Sequence, residues 1–144
     1  MSLLKIAHVP PATVEPGATV LDAIRVMARE RVGAVAVAEK GEVRGIFTER
    51  DVMLRVAQQE RSPRETKISD VMTSPVETAS EETTADEALN FMLERHIRHL
   101  PIVRKDGQLL AMLSIRNLPE HQVESLSREL HSLDQYLSND GPGG

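Results

Sequence analysis

Gly45-Ile46-Phe47-Thr48-Glu49-Arg50-Asp51 closes an apolar run and opens a helical one, with a hydroxyl and a carboxylate three residues apart at the junction. That spacing is a helix-starting signal. A Thr at the N-cap accepts from the amide three residues on, and an acidic residue there reaches back to the N-cap amide. An altered copy, Ala111-Met112-Leu113-Ser114-Ile115-Arg116-Asn117, keeps the hydroxyl and replaces the carboxylate with an amide. The fold follows from asking how far this duplication extends.

It extends over most of the chain. At an offset of 65, Thr13 falls on Thr78, Thr19 on Thr84 and Asp22 on Glu87. Ala23, Ile24, Met27 and Val32 meet Ala88, Leu89, Met92 and Ile97. One extra residue then shifts the offset to 66, which brings Gly41 onto Gly107, Thr48 onto Ser114 and Asp51 onto Asn117. Upstream, Lys5-Ile6 and Val9 echo Lys67-Ile68 and Val71 at an offset of 62.

Each copy carries the same elements. Val20, Ala23, Ile24, Met27 and Ala28 are spaced for one face of a helix over 19–31, with Thr19 as N-cap and Gly33 as stop. Ala85, Ala88, Leu89, Met92 and Leu93 repeat that face over 84–96. Strands at 34–38 and 43–47 flank Glu39-Lys40-Gly41-Glu42, a hairpin turn, and their counterparts are 100–103 and 109–113. A helix over 49–59 follows the first hairpin, and Ile68–Thr73 reads as a capped helical turn. The result is an α/β (α+β) protein in which two small units, each burying too little alone, pack sheet against sheet. The expected division is 1–62 for the first repeat, 63–118 for the second, 119–138 for a C-terminal helix and 139–144 for a disordered tail. On that helix Val123, Leu126, Leu130, Leu133 and Leu137 form a heptad-like seam.

Composition excludes several functions. The formal charge of −5 argues against nucleic acid or an anionic membrane held by bulk electrostatics, and Phe47, Phe91 and Tyr136 are too few for base stacking. Without cysteine there is no thiolate chemistry and no cysteine-ligated metal. His121, His131 and Asp134 are better explained by a solvated helix face than by a metal. No stretch long enough to span a membrane and no signal peptide is apparent, so the cytoplasm is the default location. No catalytic triad, paired-carboxylate arrangement, Walker loop or dinucleotide glycine loop is present, and an enzyme is not expected.

Taken alone, Thr48 and Asp51 suffice as a capping box. The same atoms are also competent for a nucleoside phosphate: a carboxylate accepts from a ribose diol, and free amides and a hydroxyl at a helix start suit a phosphate. Gly45 would let a ligand approach the strand closely, while Ile46, Val35 and Val37 would supply apolar contacts for a base.

The duplicated order, with Arg98-His99-Leu100-Pro101-Ile102 before one hairpin and Gly45–Asp51 after the other, resembles a tandem pair of cystathionine β-synthase (CBS) domains over residues 4–118. The resemblance implies two β-α-β-β-α repeats packed through their sheets with pseudo-twofold symmetry, forming a Bateman module. It implies clefts that bind AMP, ADP, ATP or S-adenosylmethionine, a homodimer, and a stand-alone regulatory sensor for a partner protein, with no cofactor required. The alternative is an interaction or dimerisation scaffold with vestigial clefts. By the resemblance, Thr48 is the phosphate-side hydroxyl, Asp51 the ribose carboxylate, and Arg98 and His99 reach a phosphate. Gly45, Ile46, Arg50 and Pro101 complete that site. Met112, Ser114 and Asn117 form the second, where Ala111 stands for Gly45 and neutral Asn117 for Asp51. One competent nucleotide site and one weak or vacant site are expected.

Overall fold

The computed structural model describes residues 2–118. The expected C-terminal helix with its leucine seam, the tail, and His121, His131 and Asp134 lie outside the described residues.

The chain forms two three-stranded sheets. In the first, β1 (Thr13–Val14) pairs in parallel with β2 (Ala34–Glu39), which pairs antiparallel with β3 (Glu42–Thr48). Helix α1 (Val20–Glu30) connects β1 to β2. The chain then turns through α2 (Glu49–Asp51), a π-helical segment Val52–Ala57, and α3 (Ile68–Val71). The second sheet repeats the order with β4 (Ala79–Ser80), β5 (His99–Val103) and β6 (Leu109–Ser114), and α4 (Ala85–Arg95) connects its first two strands. Both β2–β3 and β5–β6 carry a register shift at the equivalent place, after Val37 and after Ile102.

Local chemistry explains the element ends. Thr19 and Thr84 each accept from the amide three residues on, and Asp22 and Glu87 return the bond to the N-cap amide. Those bonds hold both carboxyls below their ordinary range. The helices stop at Arg31 and His96, both left-handed with φ near 56°, and not at the expected Gly33. In the β2–β3 hairpin Lys40 and Gly41 both take positive φ, the backbone of a tight primed turn.

Three apolar clusters result. Val35, Val37 and Phe47 pack beneath α1 with Val20, Ala23 and Met27. Leu100, Ile102 and Leu113 pack beneath α4 with Ala88, Leu89 and Met92. Removing one such side chain from water stabilises the fold by about 1.5–3 kcal/mol. On the opposite faces Ala34, Ala36 and Ile46 meet Met112, so the sheets pack on each other through two small and two large apolar residues. At the hairpin ends Leu109 N–H donates to Gly41 O at 2.9 Å.

The repeats are intertwined at their beginnings. The 3₁₀ turn Leu3–Lys5 inserts Leu3 into the second repeat's core, whereas Ile68 and Val71 of α3 belong to the first repeat's core. Backbone bonds from Val20 to Thr66 and from Ile68 to Ala18 tie residues after 62 to the first repeat. A cut at 62/63 therefore divides the sequence copies but not the packing units. The upstream offset is also 65, not 62. Leu3 matches Ile68 as the fully buried residue of its turn, and the His8–Met112 bridge matches the Thr73–Ile46 bridge. Lys5-Ile6 echoed Lys67-Ile68 by local composition; the three-dimensional equivalence runs through the buried positions.

Candidate functional site

Two clefts open where the end of one repeat's last strand faces the start of the other's hairpin. The first, about 440 Å³, is lined by Ile46, Thr48, Glu49, Arg50 and Asp51 from the first repeat. The second repeat contributes Thr73, Pro75, Val76 and Glu77, and His96–His99 from the start of β5. The volume lies in the range of small-molecule pockets. Six of the eight residues singled out for this site, Ile46, Thr48, Arg50, Asp51, Arg98 and His99, line this one cleft.

Gly45 and Pro101 do not line it. What approaches Gly45 is the protein itself: a β-carbon there would stand 2.8 Å from both the Thr73 carbonyl oxygen and Met72 Sδ. The bare glycine lets Ile46 and Thr73, both of which line the cleft, exchange two backbone hydrogen bonds at 3.0 and 2.9 Å. Pro101 is buried within β5 opposite Met112. Val35 and Val37 are fully buried beneath α1 and reach no cleft. The apolar wall comes instead from Ile46, Val76 and Ile97.

At the start of α2 the capping box is formed. Asp51 N–H donates to Thr48 Oγ1 at 3.2 Å, and Thr48 N–H donates to Asp51 Oδ2 at 3.0 Å. The other carboxylate oxygen lies 3.5 Å from Arg55 Nε. Arg55 Nη1 also donates to the carbonyls of Val71 and Met72 at 3.2 and 3.0 Å. One guanidinium thus joins the carboxylate to the segment that becomes the cleft's far lip. Sequence reasoning missed Arg55; its only signal was the i, i+4 spacing from Asp51.

The second cleft, about 450 Å³, is the pseudo-symmetric counterpart. It is lined by Met112, Ser114, Arg116 and Asn117, by His8, and by residues 30–34 from the end of α1 to the start of β2. Ser114 N–H donates to Asn117 Oδ1 at 2.8 Å, so the asparagine caps the final 3₁₀ turn as Asp51 caps α2. Glu49, Arg98 and His99 line both clefts and form the wall between them. Burial there, reinforced by Arg116 and Arg98 against the opposing effect of Glu49, holds the His99 imidazole below its ordinary pKa. No group of three or more metal-ligating side chains occurs among the described residues, and no helix there is long and apolar enough to cross a membrane.

Comparison with known proteins assigns this geometry to a family. The family model for the CBS domain matches twice, over residues 5–58 and 68–123. A CBS domain-containing mitochondrial protein of Arabidopsis thaliana, CBSX3, is 36% identical over 124 residues. That match covers 83% of this chain and 60% of the relative, so the chain spans somewhat under two thirds of that protein's length. A CBS-domain protein from Burkholderia ambifaria superposes with a TM-score of 0.74 at 32% identity, over 88% of this chain and 93% of that one. A CBS domain protein from Pyrobaculum aerophilum, solved in complex with AMP, has a TM-score of 0.77 at 24% identity, over 89% of this chain and 99% of that one.

Proposed function

The chain belongs to the CBS domain family as a tandem pair, and from that premise we propose that it is a non-catalytic regulatory module whose first cleft binds an adenosine nucleotide. The observation that carries the proposal is the convergence of Asp51, Thr48, Arg98 and an apolar wall on one cleft of suitable size. A base sits against Ile46, Val76 and Ile97, the ribose diol donates to the Asp51 carboxylate, and the phosphate turns toward Thr48, Arg50, Arg98 and His99. The AMP complex of the Pyrobaculum protein supports an adenosine ligand by analogy of fold. Occupancy ties both repeats together across the cleft, which is the means of signalling to a second copy in a homodimer or to a regulated partner. The compartment, expected as the cytoplasm, is part of the proposal, since the Arabidopsis relative is described as mitochondrial.

The test is calorimetric titration with AMP, ADP, ATP and S-adenosylmethionine on the wild-type chain and on Asp51→Asn. Asn117 already performs the equivalent cap through its side-chain oxygen, so this substitution retains the fold while removing an acceptor that serves both diol hydroxyls. Affinity falls by about tenfold or more, on the scale of one charge-assisted hydrogen bond. Absence of heat from all four compounds, or wild-type affinity in Asp51→Asn, overturns the assignment.

A further inference from the structure

We propose that the second cleft is a site for a small phosphate polyanion, of the pyrophosphate or tripolyphosphate class, which it recognises without a nucleoside. The inference concerns the cleft opposite the proposed nucleotide site, with which it shares Arg98, Glu49 and His99, and it stands on Arg31, Arg116 and Asn117, which the nucleotide site lacks.

The two clefts have nearly equal volumes and opposite chemistry. The first is lined by Arg50 and Arg98 against Glu49, Asp51 and Glu77. The second is lined by Arg31, Arg98 and Arg116 against Glu30 and Glu49. Glu30 is already engaged, by His8 Nε2 at 3.3 Å and Arg29 at 3.7 Å. Arg31, Arg98 and Arg116 make no ion pair and no side-chain hydrogen bond among the described residues. Three guanidinium groups around a cavity, with no carboxylate partner, are the donors that a polyphosphate requires.

The replacement of Asp51 by Asn117 belongs to the same inversion. Asn117 spends its oxygen on the Ser114 amide, which leaves its NH₂ as the group available to a ligand. Ser114 Oγ accepts from the Arg116 amide at 3.2 Å, so its proton is free to donate. A ribose diol needs an acceptor here and finds a donor; a phosphate oxygen finds what it needs. Arg31 arrives through backbone geometry. It occupies the left-handed helix stop that His96 occupies beside the first cleft, which sets a permanent cation at the rim where the other cleft has a titratable one. Glu49 is the opposing charge, shared with the first cleft and facing His99.

The experiment titrates the full chain with pyrophosphate and with tripolyphosphate by calorimetry, first ligand-free and then saturated with AMP. One site is expected in each case, weakened by added salt as exposed charge contacts are. In Arg31→Gln/Arg116→Gln the affinity falls at least about tenfold, on the scale of a lost charge-assisted contact, whereas AMP binding is unchanged because neither residue lines the first cleft. Asn117→Asp, which restores an acceptor and a negative charge, also weakens pyrophosphate and controls for folding by its retained cap. The proposal is overturned if millimolar pyrophosphate gives no heat. It is equally overturned if the double variant binds pyrophosphate as the wild type does, or if AMP titrates two sites per chain. A chain that binds pyrophosphate but, ligand-free, gives no heat with AMP, ADP, ATP or S-adenosylmethionine would refute the nucleotide assignment and leave this one standing.

Discussion

Gly45 separates two accounts of the first cleft. If its missing side chain makes room for a ligand, Gly45→Ala loses affinity and keeps stability. If it makes room for the protein's own backbone, the order reverses. A β-carbon at Gly45 would be 2.8 Å from Met72 Sδ, 3.1 Å from Met72 Cγ and 2.8 Å from the Thr73 carbonyl oxygen. Favourable carbon contacts lie at about 3.5–4.0 Å, so the deficit is roughly 0.5–1 Å. Met72 can rotate away; the Thr73 carbonyl cannot, because it accepts from Ile46 N–H at 3.0 Å within the bridge. Overpacking of about 1–3 kcal/mol together with one weakened hydrogen bond gives a cost of about 2–3 kcal/mol. For a chain of this length that lowers Tm by roughly 6–12 °C.

The second repeat supplies the control. Ala111 stands at the position of Gly45 and pairs with Ile102 as Gly45 pairs with Val37. Ala7 stands at the position of Met72, and both alanines pack in the second core. The small-beside-large pair of one half is a pair of small residues in the other. Gly45→Ala/Met72→Ala should therefore recover part of the loss, with a coupling of about 0.5–3 kcal/mol in the double-mutant cycle. Thermal and urea denaturation of the four proteins measures it. A Gly45→Ala protein that melts within a degree of wild type but no longer binds AMP would refute the packing account.

Arg55→Gln frees the Asp51 carboxylate and the carbonyls of Val71 and Met72, and should raise the Kd for AMP several-fold without abolishing binding, as calorimetry would show. For His99 the folded pKa lies below the ordinary 6.5 chiefly through burial, so the unfolded chain binds the proton first on acidification. Stability is then full above that ordinary value and falls as the pH drops through it toward the folded pKa; His99→Gln should flatten the wild-type loss between pH 7 and 5 in a series of melts. Thr19→Ala and Thr84→Ala each remove a capping box and should lower Tm by about 2–6 °C, nearly additively, because the two helices belong to different cores.

The elements legible in the sequence were those whose signals are local. The apolar spacing of Val20, Ala23, Ile24 and Met27, with Thr19 as N-cap, announced the first helix and its copy the second, and the hairpins followed from turn residues such as Gly41 and Gly107. What failed depended on contacts between distant segments. Ala34-Val35-Ala36-Val37 is buried on both faces, since valines pack under α1 and alanines against the other sheet. A strand sandwiched in this way alternates in size, not polarity, so the pattern could not say which face met the cleft, and Val35 and Val37 were assigned to the wrong one. Gly45 was read correctly as a close approach, but the approaching group was backbone from residue 73. Gly33 was chosen as the helix stop for its flexibility, whereas Arg31 and His96 bear the positive φ two residues earlier. The π-helical turn had no local signature, and Arg55 had only its i, i+4 spacing from Asp51.

The capping box and the ligand site need not compete for Thr48 and Asp51. Thr48 Oγ1 uses a lone pair to accept from the Asp51 amide, and its proton remains available to a phosphate oxygen. Asp51 accepts one amide at Oδ2, while a carboxylate offers about four lone-pair positions, enough for two diol hydroxyls as well. The cap therefore does for the proposed binding site what a supporting residue would otherwise have to do: it holds both side chains in place through two mutual hydrogen bonds. With 14% of its side chain exposed, Asp51 is largely shielded from solvent, and Arg55 lies 3.5 Å from its second oxygen. At the other copy the same cap is made by Asn117 with the charge removed, so folding did not require the carboxylate. Asp22 and Glu87 make the same cap with a carboxylate and line neither cleft, so the proposed ligand role of Asp51 rests on the cleft it lines and on the outcome of Asp51→Asn.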